Sequence, residues 1–155
     1  MINTTLCYIE KDDKFLMLHR VKKKNDINHD KWIGIGGKLE DGETPYEGIR
    51  REIREETGLN PPALSYRGLI TFCQEGEPSE YMHLFTALAE DGCALSECDE
   101  GDLAWIEKKR LYDLTLWEGD RLFLSLLDTE RRFFCLKLLY RGDRLLSHSL
   151  ELSAE

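Results

Sequence analysis

Apolar and polar positions alternate with two different periods along the chain. Thr4 to Ile9 and Phe15 to Val21 are rich in aliphatic, aromatic and β-branched residues and flank Asp12-Asp13. That pattern predicts two strands joined by a turn. Lys31 to Gly37 reads as a short strand running into a glycine turn. From Thr44 the period becomes helical, with Tyr46, Ile49 and Ile53 at i, i+3 and i+7. Thr44 and Glu47 form a capping-box pair, Pro45 suits the first helical position, and Gly58 stands where a C-terminal cap belongs. A helix is therefore expected over Thr44 to Thr57. Leu64 to Gln74 and Tyr81 to Ala89 predict two longer strands about the turn Gly76-Glu77-Pro78-Ser79. After an acidic loop from Glu90 to Asp102 come a short strand, Leu103 to Ile106, and a second helix, Gly119 to Asp128. Phe133 to Tyr140 and Leu145 to Leu152 predict a terminal hairpin turning at Arg141-Gly142-Asp143. Helices interrupting hairpins irregularly predict an α+β fold, a mixed sheet with helices packed on it.

The helix carries the chemistry. At 100° per residue its apolar stripe has a neighbour: Glu52, Glu55 and Glu56 fall on one adjoining arc, while Glu47, Arg50 and Arg54 point elsewhere. Like charges at i,i+4 destabilise a helix by about 0.2–0.5 kcal/mol. Acids near a helix C-terminus also oppose its dipole. A divalent cation reverses both penalties, and magnesium takes oxygen ligands shared with phosphates and water. A solvated acidic face is the bland alternative. Gly48, one turn before Glu52, is read as leaving room for a substrate.

Composition narrows the classes. The chain has 155 residues, 41% hydrophobic and 33% charged, with a formal net charge of −9. One domain over residues 1–155 is expected. The acidic balance argues against a long nucleic acid as partner, since that needs basic patches. A small anionic nucleotide remains compatible, because a bound cation inverts the local field. None of the five cysteines forms a C-x-x-C pair, which fits reduced, packing thiols and a cytoplasmic setting. Met1-Ile2-Asn3-Thr4 starts no signal-like segment and no run is long enough for a membrane span, so no membrane partner is expected.

Gly37, Glu43, and the run Arg51-Glu52-Ile53, Glu55-Glu56, Gly58-Leu59 have the residues and spacing of the Nudix box. The chain resembles the Nudix hydrolases. The resemblance implies an α/β/α sandwich with a loop-helix-loop catalytic motif. It implies that Glu52, Glu55 and Glu56 hold Mg2+ (with Mn2+ as substitute), that Arg51 braces Glu43, and that the Gly36 carbonyl and Lys38 face metal and phosphates. Glu100, in Asp99-Glu100, is the favoured general base or further metal ligand; a solvated loop acid is the alternative.

Outside the box the chain is similar to the MutT-like branch acting on oxidised purine nucleoside triphosphates. That likeness rests on Trp32 with Gly34, Gly36 and Gly37, on Tyr81 to Phe85, on Asp99-Glu100 and Trp105, and on Trp117-Glu118-Gly119-Asp120. It implies hydrolysis of a substrate such as 8-oxo-dGTP to the monophosphate and pyrophosphate, with Trp117 and Asp120 at the base. The chain departs from the branch at Ile33, where an asparagine is common, and at Gly119, where an acid is common. Weaker or altered base discrimination is expected. ADP-ribose, a dinucleoside polyphosphate or a pterin triphosphate is the second substrate reading, and a non-catalytic nucleotide sensor the third. Either a monomer or a homodimer is compatible. His83 is read as a satisfied structural histidine, Trp117 more readily as packing at a helix entrance than as a stacking surface, Asp120 alternatively as a helix cap, and Lys22-Lys23-Lys24 as a solvated loop.

Overall fold

The structure is a computed structural model that describes residues 1–22, 25–61, 63–90 and 95–155. Its elements follow the hydropathy pattern closely. β1 spans Ile2–Lys11, β2 Lys14–His19, β3 Trp32–Ile33, α1 Pro45–Thr57, β4 Leu64–Gln74 and β5 Glu80–Leu88. Then come β6 Asp102–Glu107, a 3-10 helix Lys108–Asp113, α2 Glu118–Thr129, β7 Phe134–Arg141 and β8 Arg144–Leu152. The 3-10 helix carries no apolar period and was not expected. The predicted strand over Lys31 to Gly37 shrinks to Trp32–Ile33, followed by single bridges from Ile35 to Cys7 and Lys38 to Thr4.

All strands join one mixed sheet in the order β3-β2-β1-β5-β4-β7-β8, with β6 on β2. β1 lies parallel to β5 and β4 parallel to β7; the other pairs are antiparallel. Alternation in each strand feeds two cores. Cys7, Ile9, Leu16, Leu18, Phe85 and Ala87 meet Ile49 and Ile53 of α1. Tyr8, Phe15, Met17, Leu84, Leu136 and Leu138 meet Phe123, Leu124 and Leu127 of α2. Each helix thus covers one face, the α/β/α arrangement expected. No helix among the described residues is long and apolar enough to cross a membrane.

α1 forms where its caps dictate. Thr44 accepts from the Glu47 amide, Glu47 returns the bond to Thr44, and Gly58 closes the helix at φ 76°. Pinning Ile49 and Ile53 at zero exposure fixes the rotation of α1, and with it the direction of its glutamates. The four described cysteines are free thiols; Cys93 lies outside the described residues.

Candidate active site

The acids of α1 leave its core stripe at different depths. Glu56 is buried, Glu52 half-buried and Glu55 exposed, so the arc read from the helical wheel opens from core to solvent. The Glu56 carboxylate accepts from the Gly36 amide at 3.3 Å. A Cβ on Gly37 would stand 2.7 Å from Glu52 Oε1. The glycine loop therefore lies directly against both carboxylates. A Cβ on Gly36 would stand 1.8 Å from the Thr5 carbonyl, so its glycine is demanded by β1. Gly48 has a different reason from the one expected. A Cβ there would lie 2.2 Å from Leu39 Cδ2, so the space serves packing of the preceding loop.

Arg51 organises the loop side. It donates through Nε and Nη2 to both Glu43 oxygens at 2.8 and 2.9 Å, and through Nη2 to the Lys38 carbonyl at 3.1 Å. Its Nη1 reaches Glu52 at 2.9 Å and Glu55 at 3.3 Å. The guanidinium holds the Glu43 carboxyl well below the usual range, at about 2. The brace expected for Glu43 is present. The Lys38 side chain is exposed at the rim, and its charge acts on half-buried Glu80.

Glu100 reaches the same place from the turn before β6. Its carboxyl faces Glu56, and burial together with Glu100 and Glu52 pushes Glu56 well above the ordinary carboxylate range. Burial likewise raises Glu52, against the opposing pull of Arg51. Among the described residues no three acids stand together in ready metal-ligating geometry, since Arg51 bridges Glu52 and Glu55. The donor set nonetheless fits a hard cation. Two facing carboxyls, one of them buried, need either a shared proton or a positive charge between them.

Sequence reasoning missed Arg20, which ends β2 and donates to Glu100 Oε2 and Asp26 Oδ2, both at 2.7 Å. The only local signal is a charged residue closing an apolar strand. Lys22 is tied to the Cys98 carbonyl at 2.6 Å; Lys23 and Lys24 lie outside the described residues.

The second group sits at the start of α2. Trp117 is buried, edge-on to Phe72 and Tyr140, and donates to Asn28 Oδ1 at 2.7 Å. Lys31 lies over its ring at 4.6 Å and pairs with Asp143 at 3.1 Å. Asp120 does not cap α2; Trp117 holds the N-cap position and makes no side-chain cap bond. Instead Asp120 is buried. Beside it, burial pushes the Tyr8 hydroxyl well above its ordinary value, and that hydroxyl approaches the Gly34 backbone without reaching hydrogen-bond geometry. Gly119 is required by packing, because a Cβ would meet Leu138 at 2.6 Å and the Tyr140 hydroxyl at 2.7 Å. That hydroxyl accepts from the Gly119 amide, satisfying one orphan donor of the helix start. His83 is bonded to Tyr66 and Asn3, a structural role as expected.

Burial raises the Asp120 carboxyl to about 8, overriding the opposing effect of Lys31. The folded protein then binds a proton that the unfolded chain, titrating near 3.9, releases. Stability is favoured at low pH and lost as pH rises from about 4 to about 8. In metal-free protein, Asp120→Asn is expected to match the parent in thermal unfolding near pH 4 and to exceed it increasingly up to pH 8.5. Parallel melting curves across that range would refute a buried, protonated Asp120.

A family model described as NUDIX domain matches residues 2–127. The chain is 34% identical over 121 residues to the "Uncharacterized Nudix hydrolase YvcI" of Bacillus subtilis, covering 75% of this chain and 72% of that protein. It is 32% identical over 130 residues to the "Oxidized purine nucleoside triphosphate hydrolase" of Mus musculus, covering 83% and 82%. The crystal structure of a mutator MutT protein from Bacillus halodurans superimposes with a TM-score of 0.84 at 25% identity, covering 97% of this chain and 98% of that one.

Proposed function

The chain belongs to the Nudix family and hydrolyses nucleotide phosphoanhydride bonds, and on that premise we propose that it converts an oxidised purine nucleoside triphosphate to the monophosphate and pyrophosphate. One observation carries the chemistry: the buried Glu56 carboxyl meets Glu100 directly and accepts from the Gly36 amide, beside Glu52. These carboxylates, with Glu55 and the Gly36 carbonyl, would hold the divalent metal that the family needs, here Mg2+. When bound, the metal neutralises phosphate charge and activates water.

The protein's own groups supply the rest. Arg51 keeps Glu43 and the Lys38 backbone against α1, so the loop cannot drift from the acids. Glu100 takes the proton of the attacking water at a carboxylate oxygen. Lys38, exposed at the rim of the loop, meets the phosphates as they arrive. At the other end, Trp117 and Phe72 pack edge to face with Lys31 over the indole, and the base would be held beside them. The Asp120 carboxyl would supply a donor and an acceptor, and the Tyr8 hydroxyl has no hydrogen-bond partner among the described residues. A protonated carboxyl can donate as well as accept. The segment from Ile33 to Gly37 joins the two ends, Gly34 lying against Tyr8 and Gly36 against Glu56.

Pyrophosphate release should be measured with 8-oxo-dGTP, dGTP, dATP, ADP-ribose and diadenosine polyphosphates, with and without Mg2+. The expected result is metal-dependent release, fastest from an oxidised purine triphosphate. Preference for ADP-ribose, or for a dinucleoside polyphosphate, would replace the substrate reading and keep the family. Millimolar Mg2+ is also expected to raise the melting temperature, because the cation binds only the folded acid cluster. An unchanged melting temperature would count against that cluster as the metal site.

A further inference from the structure

Arg20, Asp26 and Asn28, between β2 and β3, form a continuous line of hydrogen bonds from Glu100 at one end of the site to Trp117 at the other. Glu100 Oε2 accepts from Arg20 Nη1 at 2.7 Å, and Arg20 Nε donates to Asp26 Oδ2 at 2.7 Å. The other Asp26 oxygen accepts from the Asn28 amide at 3.2 Å, and Asn28 Oδ1 accepts from Trp117 Nε1 at 2.7 Å. The side chains of Arg20 and Asp26 are only 11% and 9% exposed. The turn carrying Glu100 is gripped by the same stretch. Lys22 donates to the Cys98 carbonyl at 2.6 Å, and a Cβ on Gly101 would lie 1.9 Å from the His19 carbonyl.

We propose that Arg20 and Asp26 are positioning residues that aim Glu100, and that Asn28 ties this aim to the Trp117 indole at the base end. The proposal rests on Glu100 acting in catalysis and Trp117 lying at the base. Charge alone does not explain the arrangement. A lysine in place of Arg20 would pair with one carboxylate, but it lacks the planar fork that engages Glu100 and Asp26 through two separate N–H groups. A base seated against Trp117 presses on the indole, whose N–H is held by Asn28. Movement there is passed through Asp26 and Arg20 to the carboxylate that takes the proton. Base identity would then be read partly in turnover and not only in binding.

The test is a set of variants assayed for kcat, KM and melting temperature with Mg2+, on the preferred triphosphate and a poorer one. Arg20→Met and Asp26→Asn are each expected to lower kcat about 10-fold or more with KM nearly unchanged, and Arg20→Lys to restore little. Arg20→Met combined with Glu100→Gln should lose no more than Glu100→Gln alone, since one acts through the other. Asn28→Ala should lower kcat most on the preferred base and flatten the kcat ratio between substrates. Multiplying losses in the double variant would overturn the proposal, as would an equal effect of Asn28→Ala on both substrates. Full kcat in Glu100→Gln would remove the catalytic reading of Glu100 itself and the proposal with it. Full kcat in Arg20→Met alongside a crippled Glu100→Gln would overturn the positioning role alone. Arg20→Met replaces a buried charge by a stem of similar length; if it does not fold, Asp26→Asn, nearly isosteric, carries the same comparison.

Discussion

Glu56→Gln is expected to lower kcat by roughly 10^2- to 10^4-fold while the protein stays folded, a loss of about 3–5 kcal/mol of transition-state stabilisation. The size follows from where the carboxylate sits. Glu56 is buried against the Gly36 amide and faces Glu100, so no solvated acid stands ready to take its place. A glutamine has nearly the same volume and can keep a polar contact with the loop. It cannot supply the negative charge that a divalent cation requires. Without metal the amide also ends the carboxyl-carboxyl conflict. The metal-free variant is therefore expected to melt no lower than the parent and to lose most of the Mg2+-induced rise. Steady-state kinetics at saturating Mg2+, with melting curves at both metal levels, check it. Near-parental turnover would show that Glu56 holds no metal.

Arg51→Met is expected to weaken Mg2+ activation by about 10- to 100-fold, the range seen when groups that orient metal ligands are removed. Arg51 touches three acids of the site and the Lys38 carbonyl. Methionine keeps the aliphatic stem and removes every one of those bonds. Glu43 would lose the two bonds that hold its carboxylate in place, and Glu52 and Glu55 would lose the guanidinium between them. Arg51→Lys should recover only part of the loss, because an ammonium cannot engage Glu43 through two parallel N–H groups. A magnesium titration of activity separates this from simple unfolding. An unchanged half-saturating Mg2+ concentration would leave Arg51 with a purely structural place.

What was legible in the sequence depended on how local its cause was. The bounds of α1 follow from Thr44, Glu47, Pro45 and Gly58, all within or beside the helix, and they stand where expected. Strand alternation likewise gave β4, β5, β7 and β8 to within a residue or two. The relative depths of Glu52, Glu55 and Glu56 were not legible. A helical wheel gives angles but not how far the covering loop extends, and Arg51 and the glycine loop decide that. Gly48 misled for a related reason. Its missing side chain serves Leu39 nine positions back along the chain, a neighbour no periodicity marks. Arg20 and Glu100 are 80 positions apart, and Asn28 and Trp117 are 89 apart. The first pairing arises from β2 and β6 lying side by side and the second from Trp32 meeting Thr115, and both become visible only once the chain is folded. Gly119 looked like a lost acid; the structure shows that Tyr140 occupies the space an acid would need.

The position of β1 at the middle of the sheet has a kinetic consequence. It is made before the other strands of this sheet, yet Ile2 pairs with Glu80 and Glu10 with Leu88, and β4 in turn must wait for β7. Contacts so distant in sequence close large loops before they yield stability, and folding slows as their average separation grows. During synthesis the apolar residues of β1 therefore emerge long before their parallel neighbour exists. Only the short turn to β2 shields one flank. The nascent chain presents an open strand edge throughout that interval, which is when capture by chaperones or by another nascent copy competes with folding.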